Sequence, residues 1–264
     1  MKFQYISDIH LEFYDTNNTG SFFPNSYLHP IAPYLVLAGD IGIPELKSYR
    51  IFLEWCSSRW KHIFLVAGNH EYYTYRCSTK SDMKTKQALI QEICSEFSNI
   101  HFLNCDSFYL QEEGIRILGC TLWSDIPEAK LGKAIAYMND TRFIVEKDNI
   151  FITPQRVSEL HKEEKTWLEN QILQCQQNKE ECLVITHHLP SFSLIHEKYK
   201  AHPLNVCFAS ECESLIHSPV KGWICGHSHT AMEITIHDVP CRLNPYGYPG
   251  EIVETRNKMS VLEI

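Results

Sequence analysis

The chain has 264 residues, of which 44% are hydrophobic, so it is long enough to bury an extensive core. Its formal charge of −8 at pH 7 argues against a broad electrostatic grip on duplex DNA or on an anionic membrane, because such proteins usually carry a basic face. Its eleven cysteines include no Cys-x-x-Cys pair, which argues against a zinc knuckle and a thioredoxin-type redox motif.

Five apolar runs favour strands that are buried on both faces of a sheet. They lie at 3–6, 34–38, 63–67, 182–185 and 222–225, and a short polar block follows each run. In open α/β sheets ligands bind at the carboxyl ends of the strands, so the blocks are predicted to meet at one edge. In chain order the blocks are Asp8-Ile9-His10, Gly39-Asp40, Gly68-Asn69-His70-Glu71, His187-His188 and Gly226-His227-Ser228-His229.

Helical spacing of apolar residues alternates with these strand signals. It predicts helices over 45–60, 83–97, 153–175 and 208–216, the third of which begins with a capping threonine followed by proline. Two short strands are predicted within 101–122, and three more over 233–237, 241–244 and 258–264. This order predicts a layered α/β sandwich with two sheets inside and helices outside.

The chain carries no repeat and no linker rich in proline, glycine or serine, and its polar blocks span residues 8 to 229. We therefore predict a single domain over 1–264. The first strand begins at Lys2-Phe3, which leaves no room for a secretory leader, and no apolar run approaches the length of a membrane span. These observations predict a cytoplasmic protein with reduced cysteines and no membrane partner.

The polar blocks supply carboxylate, imidazole and amide groups, which suit Mn²⁺, Fe and Zn²⁺. The blocks contain no thiol, which argues against a purely structural zinc site. A catalytic pair of ions needs one shared ligand, which is best supplied by a carboxylate with two oxygens. Asp40 is the natural candidate for that bridging role.

Taken in order, the blocks reproduce the signature of the calcineurin-like metallophosphoesterases, and the resemblance extends from Asp8 to His229. The resemblance implies an αββα sandwich of four layers, in which two mixed β-sheets are flanked by helices. It also implies two divalent metal ions (Mn, Fe or Zn) and a hydroxide that bridges them and attacks a phosphate ester. The implied ligands are Asp8, His10, Asp40 and His229 for the first ion, and Asp40, Asn69, His187 and His227 for the second.

Other residues in or near the blocks are assigned roles other than metal binding. His70 is implied to be the histidine that binds no metal and either steadies the phosphoryl oxygens or protonates the leaving oxygen. Glu71 is interpreted as an acceptor for a nearby backbone or histidine N–H, and His188 as a residue behind the ligands or at the rim. The tyrosines that follow favour packing under the site over stacking of a nucleobase; they are Tyr72, Tyr73 and Tyr75.

Two further segments have open roles at this stage. Arg142 follows Asn139-Asp140-Thr141 and is interpreted either as a phosphate clamp or as part of a solvated turn. The segment from Pro190 to Asn205 lies between two ligand blocks and is interpreted as a rim or lid.

Sequence differences from the best-defined members of the family indicate which branch this chain resembles. Protein serine/threonine phosphatases carry GDxVDRG and an arginine before GNHE, whereas here Gly39-Asp40-Ile41-Gly42 and Ala67 stand in those places. Residues 244–251 resemble the NPRGYPGE tail of small prokaryotic-style metallophosphoesterases, with Tyr246 where an arginine is usual. The chain is also similar to the class III cyclic-nucleotide phosphodiesterases.

We therefore predict a hydrolase of small phosphate esters, with phosphodiesters favoured over monoesters. One alternative is a nuclease, which the acidic charge and the lack of a visible basic groove disfavour. The other is a binding scaffold that keeps the fold without turnover. Such scaffolds usually lose some ligands, whereas this chain retains every one. Oligomeric state and the physiological substrate do not follow from the sequence.

Overall fold

Two β-sheets pack face to face in the computed structural model of the chain, which describes residues 1–14, 28–75, 77, 80–251 and 260–264. In the first sheet the strand order is β13-β1-β2-β3-β4; β1 to β4 are parallel, and β13 is antiparallel to β1. Its strands are β1 Lys2–Ile6, β2 Tyr34–Ala38, β3 His62–Val66, β4 Ile100–Phe102 and β13 Val261–Glu263.

The second sheet has six strands in the order β11-β12-β10-β9-β6-β5. The inner neighbours are parallel, whereas β5 and β11 pair antiparallel at the two edges, so this sheet is mixed like the first. Its strands are β5 Asp106–Leu110, β6 Ile115–Cys120, β9 Glu181–Thr186, β10 Val220–Cys225, β11 Met232–Ile236 and β12 Val239–Leu243.

Helices cover the outer faces of both sheets. Helices α1 and α2 pack on the first sheet, and the long α5 packs on the second. A two-stranded ribbon, β7 with β8, follows the two short helices α3 and α4. The bounds are α1 Lys47–Ser57, α2 Met83–Ser95, α3 Leu131–Tyr137, α4 Asp140–Phe143, β7 Val145–Lys147, β8 Ile150–Phe151 and α5 Pro154–Asn178.

Alternation of side chains along the buried strands explains why there are four layers. In β2, Leu35 and Leu37 pack with the helices, whereas Val36 packs between the two sheets. In β9, Val184 packs against the helix layer and Leu183 between the sheets. A strand that is apolar on both faces must be covered on both sides. Three apolar interfaces result, and the predicted αββα sandwich is confirmed.

The predicted helix over 208–216 is wrong. Only a single 3₁₀ turn forms there, at Glu213–Leu215. The backbone of the segment pairs with Leu189 instead: Leu189 N–H donates to the carbonyl of Phe208, and Ser210 N–H donates to the carbonyl of Leu189. The helical spacing of apolar residues therefore indicated correctly that this segment is buried. Its backbone does not form helical hydrogen bonds, because it pairs with Leu189 instead.

The other predicted helices are present as α1, α2 and α5, with ends displaced by a few residues. The strand predicted over 258–264 is observed as β13, and its first two residues lie outside the described part of the chain. Helices α3 and α4 and the β7–β8 ribbon were not predicted, because their apolar residues are too few to show a period. No helix in the described residues is long and apolar enough to cross a membrane. The single-domain interpretation stays a prediction.

One buried carboxyl in the second helix layer makes stability depend on pH. Burial raises the pKa of Glu164 to about 8, although the N–H of Leu122 donates to its carboxylate. Between about pH 4.5 and pH 8 the folded chain therefore holds a proton that the unfolded chain releases, so stability falls as pH rises through this window. We expect Glu164→Gln to raise Tm by about 3–8 °C at pH 8 and by much less at pH 5.

Thermal unfolding of the variant and the parent protein at both pH values measures this effect. Glu169→Gln is the matched control, because Glu169 lies on the exposed face of the same helix. An equal Tm difference at pH 5 and pH 8 would contradict the assignment of the titration to Glu164.

Candidate metal centre

The predicted site residues lie on the loops that leave the carboxyl ends of five strands. Asp8 follows β1, Asp40 follows β2, Asn69 follows β3, His187 follows β9 and His227 follows β10. The two sheets present these ends side by side, because their strands stack in the same sandwich. The structure therefore brings all five polar blocks together at one edge.

Several of these residues have a strained backbone conformation. Asp8, His10, Asp40 and His227 have φ between 53° and 65°, in the left-handed region that residues other than glycine seldom adopt. Such conformations turn a side chain away from the strand direction and cluster at functional sites. The same bend needs glycine at Gly39, where φ is 84° and a Cβ would lie 2.4 Å from Nδ1 of His187.

The first group of potential ligands consists of Asp8, His10 and His229. The Nε2 atoms of His10 and His229 lie 3.1 Å apart, and Asp8 Oδ1 lies 3.5 Å from Nε2 of His229. Asp8 is also held by the backbone, since the N–H of His227 donates to its carboxylate at 3.1 Å.

The second group consists of Asp40, His187 and His227, with the amide of Asn69 beside them. His187 Nε2 lies 3.2 Å from His227 Nδ1, 3.2 Å from Asn69 Oδ1 and 3.4 Å from Asp40 Oδ2. Asp40, Asn69 and His187 are almost completely buried, and His227 lines a cavity. Four donor atoms therefore converge on one small volume.

Asp40 lies between the two groups. Its Oδ2 is 3.4 Å from His187 Nε2 and 3.9 Å from His10 Nε2, so one carboxylate faces both sets of donors. Ligands bound to one ion at about 2.0–2.2 Å lie roughly 3.0–3.5 Å from each other. The separations within each group agree with that spacing. The residues present fit two neighbouring divalent cations that share Asp40.

The orientation of the imidazoles also fits metal binding. Nδ1 of His10 faces Glu12 at 3.2 Å, Nδ1 of His229 faces Glu251 at 2.7 Å, and Nδ1 of His187 faces the carbonyl of Ala38 at 2.9 Å. An acceptor at Nδ1 holds the proton there and leaves the lone pair on Nε2. Three imidazoles therefore present a free Nε2 to the centre.

Within the centre, neighbouring carboxylates and imidazoles shift one another's pKa values. Burial acts to lower the pKa of His187, but the charge of Asp40 raises it to about 9. Burial opposes charge on His229 as well, and hydrogen bonding to Asp8 and Glu251 raises its pKa to about 10. Desolvation and the neighbouring charge of His187 lower the pKa of His227 to about 3. The carboxylates thus stabilise positive charge at His187 and His229.

Glu71 links two of the ligand loops. Its carboxylate accepts hydrogen bonds from the backbone N–H groups of Gly68, Asp40 and Ile41 at 2.7–3.0 Å. The interpretation of Glu71 as a structural acceptor is confirmed. Burial raises its pKa to about 7, and the charge of Asp40 acts in the same direction.

His70 lies beside the two groups, and its backbone N–H donates to Asp40 Oδ1 at 2.8 Å. Its ring stacks on Tyr73 with centroids 4.1 Å apart, and its Nε2 lies 3.3 Å from the hydroxyl of Tyr248. Burial acts to lower the pKa of His70, but the charge of Asp40 and a hydrogen bond to Glu12 raise it. Contacts at both ring nitrogens therefore fix the orientation of the His70 ring.

Glu12 is a site residue that sequence reasoning missed. Its Oε1 lies 2.8 Å from Nδ1 of His70 and 3.2 Å from Nδ1 of His10. These three residues also lie close enough to hold an ion of their own. Hydrogen bonding explains the arrangement better, because both imidazoles meet the carboxylate through Nδ1 and His10 already offers Nε2 to the first group. Its place two residues after His10 was the available signal.

Asp140 is the second missed residue. It is buried, and its Oδ1 accepts hydrogen bonds from Asn69 Nδ2 at 2.8 Å and from the Tyr73 hydroxyl at 2.7 Å. This contact fixes the amide so that its oxygen faces His187. The neighbouring Arg142 donates to the carbonyl of Ala136 and does not line the cavity at the site.

Other residues with predicted roles flank the polar blocks. Tyr72 and Tyr73 are buried, which confirms packing under the site for these two, whereas Tyr75 is partly exposed. His188 is fully buried, with its ring 4.1 Å from that of His227, so it lies behind the ligands and not at the rim.

The tail that follows β12 contacts the first ligand loop. Tyr246 N–H donates to the carbonyl of Ser7, and Gly247 N–H donates to that of Asp8. The side chain of Tyr246 packs against the helix side of the first sheet. Tyr248, two residues later, is the tail residue whose ring lies beside His10, with centroids 4.4 Å apart.

Asp140 makes a testable contribution to metal binding. We expect Asp140→Ala to weaken binding of Mn²⁺ by about 10–100-fold, because the amide of Asn69 loses the acceptor that orients it. Isothermal titration calorimetry measures the change. Asp148→Ala is the matched control, because the side chain of Asp148 is 76% exposed. Unchanged affinity in Asp140→Ala would show that Asn69 does not depend on this contact.

Comparisons with known proteins agree with the fold. The family of calcineurin-like phosphoesterases matches residues 1–231. The chain is 29% identical over 259 residues to an uncharacterised protein of Acanthamoeba polyphaga mimivirus, with 94% of this chain and 91% of that protein covered. The chain therefore belongs to the calcineurin-like phosphoesterase family, a class of metal-dependent hydrolases acting on phosphate esters.

Two solved structures share the fold. The phosphopantetheinyl hydrolase of Mycobacterium tuberculosis is 18% identical, with a TM-score of 0.69 and coverage of 94% of this chain and 90% of that one. A dimetal phosphatase from Danio rerio is 15% identical, with a TM-score of 0.53 and coverage of 92% and 86%. At these identities the likeness concerns the fold alone.

Proposed function

We propose that this protein hydrolyses phosphate esters at a centre of two divalent metal ions. The first ion is held by Asp8, His10, Asp40 and His229, and the second by Asp40, Asn69, His187 and His227. The observation that carries the proposal is the position of Asp40, whose Oδ2 faces nitrogen donors of both groups within 3.9 Å. Mn²⁺, Fe and Zn²⁺ all accept this set of oxygen and nitrogen ligands.

When bound, such a metal pair lowers the pKa of a water molecule and withdraws charge from the phosphoryl oxygens. The chain supplies the remaining functions. His70 protonates the leaving oxygen from Nε2, because its Nδ1 is engaged by Glu12 and its Nε2 faces the cavity wall at Tyr248. Glu12 orients His70 and His10 together, so that the proton donor and a ligand keep a constant separation.

We propose that phosphodiesters are preferred over monoesters. A monoester at neutral pH carries close to two negative charges, as phosphorylated side chains do, whereas a diester carries one. Lysine and arginine are absent from the described residues that line the cavity, so this part of the wall offers the second charge no ammonium or guanidinium group. The same absence argues against a nuclease, which usually grips the backbone of its substrate with cationic side chains.

An activity screen with the metal-reconstituted protein tests the proposal. Mn²⁺, Zn²⁺ and Fe²⁺ forms are assayed on matched pairs of diesters and monoesters, on cyclic nucleotides, on oligonucleotides and on a phosphopantetheinyl ester. We expect metal-dependent hydrolysis with a higher kcat/KM for diesters than for the matched monoesters. A double variant, His10→Ala/Asp40→Ala, is the control for contamination.

The other outcomes identify the alternatives. Equal rates in the double variant and the parent protein would favour a binding scaffold without turnover. Selective cleavage of oligonucleotides, with binding that weakens steeply as salt increases, would identify a nuclease.

A further inference from the structure

A cavity of about 410 Å³ opens beside the proposed metal centre. Its wall contains proposed ligands from both ions together with residues from two segments that supply no ligand: the end of α3 and the segment 195–208. The volume falls within the roughly 300–1,000 Å³ that small-molecule sites occupy. The aromatic and large apolar side chains that these two segments contribute to the wall are Tyr137, Met138, Ile195, Tyr199, Leu204 and Phe208.

This wall is rich in exposed aromatic surface. Nine large hydrophobic side chains are exposed among the described residues, and three of the nine line this one cavity. All three are tyrosines: Tyr137 is 71% exposed, Tyr199 is 46% exposed and Tyr248 is 37% exposed. Single exposed hydrophobic residues are common, but convergence on one cavity marks a ligand site.

The cavity offers little to a second anionic group. None of its described lining residues is a lysine or an arginine, and Asp140 contributes a buried carboxyl to the wall. Two lysines lie next to Tyr199 in sequence. Lys200 forms an ion pair with Glu197, and the ammonium of Lys198 lies 4.7 Å from the centroid of the Tyr199 ring. A polyphosphate or an oligonucleotide would therefore meet neither a lysine nor an arginine among the described residues of this wall.

We propose that the cavity binds an uncharged alcohol group of the substrate, aromatic or largely apolar, while the phosphoryl group lies at the metal centre. The proposal rests on the proposed function and adds the substrate class: phosphate esters of bulky neutral alcohols. Rings that stack on or meet the edges of the tyrosines gain binding energy beyond the area they bury. A further negative charge on the alcohol group would lose hydration without gaining a lysine or arginine partner among the described lining residues.

Binding of phosphonates tests this without any turnover. Phenylphosphonate, methylphosphonate and 4-carboxyphenylphosphonate are titrated by calorimetry into the protein reconstituted with Mn²⁺. We expect phenylphosphonate to bind at least about tenfold more tightly than methylphosphonate, because only the phenyl ring reaches the aromatic wall. The carboxylated ring should bind at least about tenfold more weakly than the plain ring.

Two variants assign the preference to the cavity. Tyr137→Ser/Tyr199→Ser removes two exposed rings and should weaken phenylphosphonate binding about fivefold or more while methylphosphonate binding stays the same. Tyr199→Lys should narrow the gap between the plain and the carboxylated ring, because it adds the missing cation. Tyr109→Ser is the matched control, since Tyr109 is 42% exposed on β5 and does not line the cavity.

The outcomes separate this inference from the proposed function. Equal affinity for phenylphosphonate and methylphosphonate, tighter binding of the carboxylated ring, or no binding of any phosphonate would overturn the inference, even if the protein hydrolyses esters. A clear preference for the plain ring in a protein that hydrolyses no ester would support the binding site and reject the proposed reaction.

Discussion

Asp40→Asn is expected to remove most of the bound metal and to lower kcat/KM by about 10³-fold or more, which corresponds to about 4 kcal/mol of transition-state stabilisation. Asp40 Oδ2 faces donors of both ligand groups, and an amide keeps only one oxygen and places an N–H₂ where the other stood. Elemental analysis should therefore find fewer than one ion per chain in the variant, against two in the parent protein.

The control for Asp40→Asn is Asp148→Asn, an exposed site far from the ligand loops in the sequence. Thermal unfolding in the presence of excess chelator shows whether the metal-free proteins are equally well folded. Two ions per chain in Asp40→Asn, with activity intact, would refute the bridging role and with it the assignment of the two ligand sets.

His70→Ala is expected to lower kcat by about 10²–10⁴-fold and to leave two ions bound per chain. The reason is geometric: His70 donates its backbone N–H to Asp40, whereas its two ring nitrogens face Glu12 and Tyr248, which belong to neither group of proposed ligands. Steady-state kinetics on a diester with a poor leaving group, together with elemental analysis, measures both effects. The loss should shrink when the leaving group is 4-nitrophenolate, which needs no proton.

Glu12→Gln separates orientation from proton donation. Glutamine can keep an uncharged oxygen where Oε1 meets both imidazoles but loses the negative charge, so we expect a smaller loss of kcat than in His70→Ala. His217→Ala serves as the control histidine, because His217 is exposed and faces only the carbonyl of Ser218. If His70→Ala loses activity equally with good and poor leaving groups, proton donation is not the role of His70.

Much of the fold was predictable because several of its strands are continuous apolar runs. Runs such as 34–38 and 63–67 are apolar on both faces, and a run of this kind can be stable only inside a sheet that is covered on both sides. The polar blocks after the runs were equally predictable, because parallel strands deliver their carboxyl ends to one edge. The helix expected at 208–216 failed because pairing with Leu189 outweighed local spacing.

The missed site residues share a different cause. Glu12 and Asp140 belong to no motif that binds a metal, and each acts by holding another side chain, His70 in one case and Asn69 in the other. Such a role depends on a distance between residues that are far apart in sequence. Hydrogen-bond partners 58 and 71 residues apart cannot be paired from the spacing of residues along the chain.

The order and type of residues in this chain were enough to determine its family, its strand-rich interior and the kinds of ligand atom it offers, because those properties arise from hydrophobic spacing and from the chemistry of single side chains. Only the tertiary structure decided that Asp40 lies between two sets of donors, that Glu12 joins two histidines, and that the described residues of the cavity wall include no lysine or arginine. Those features are distances and directions between separate loops, and they exist only after the two sheets have packed.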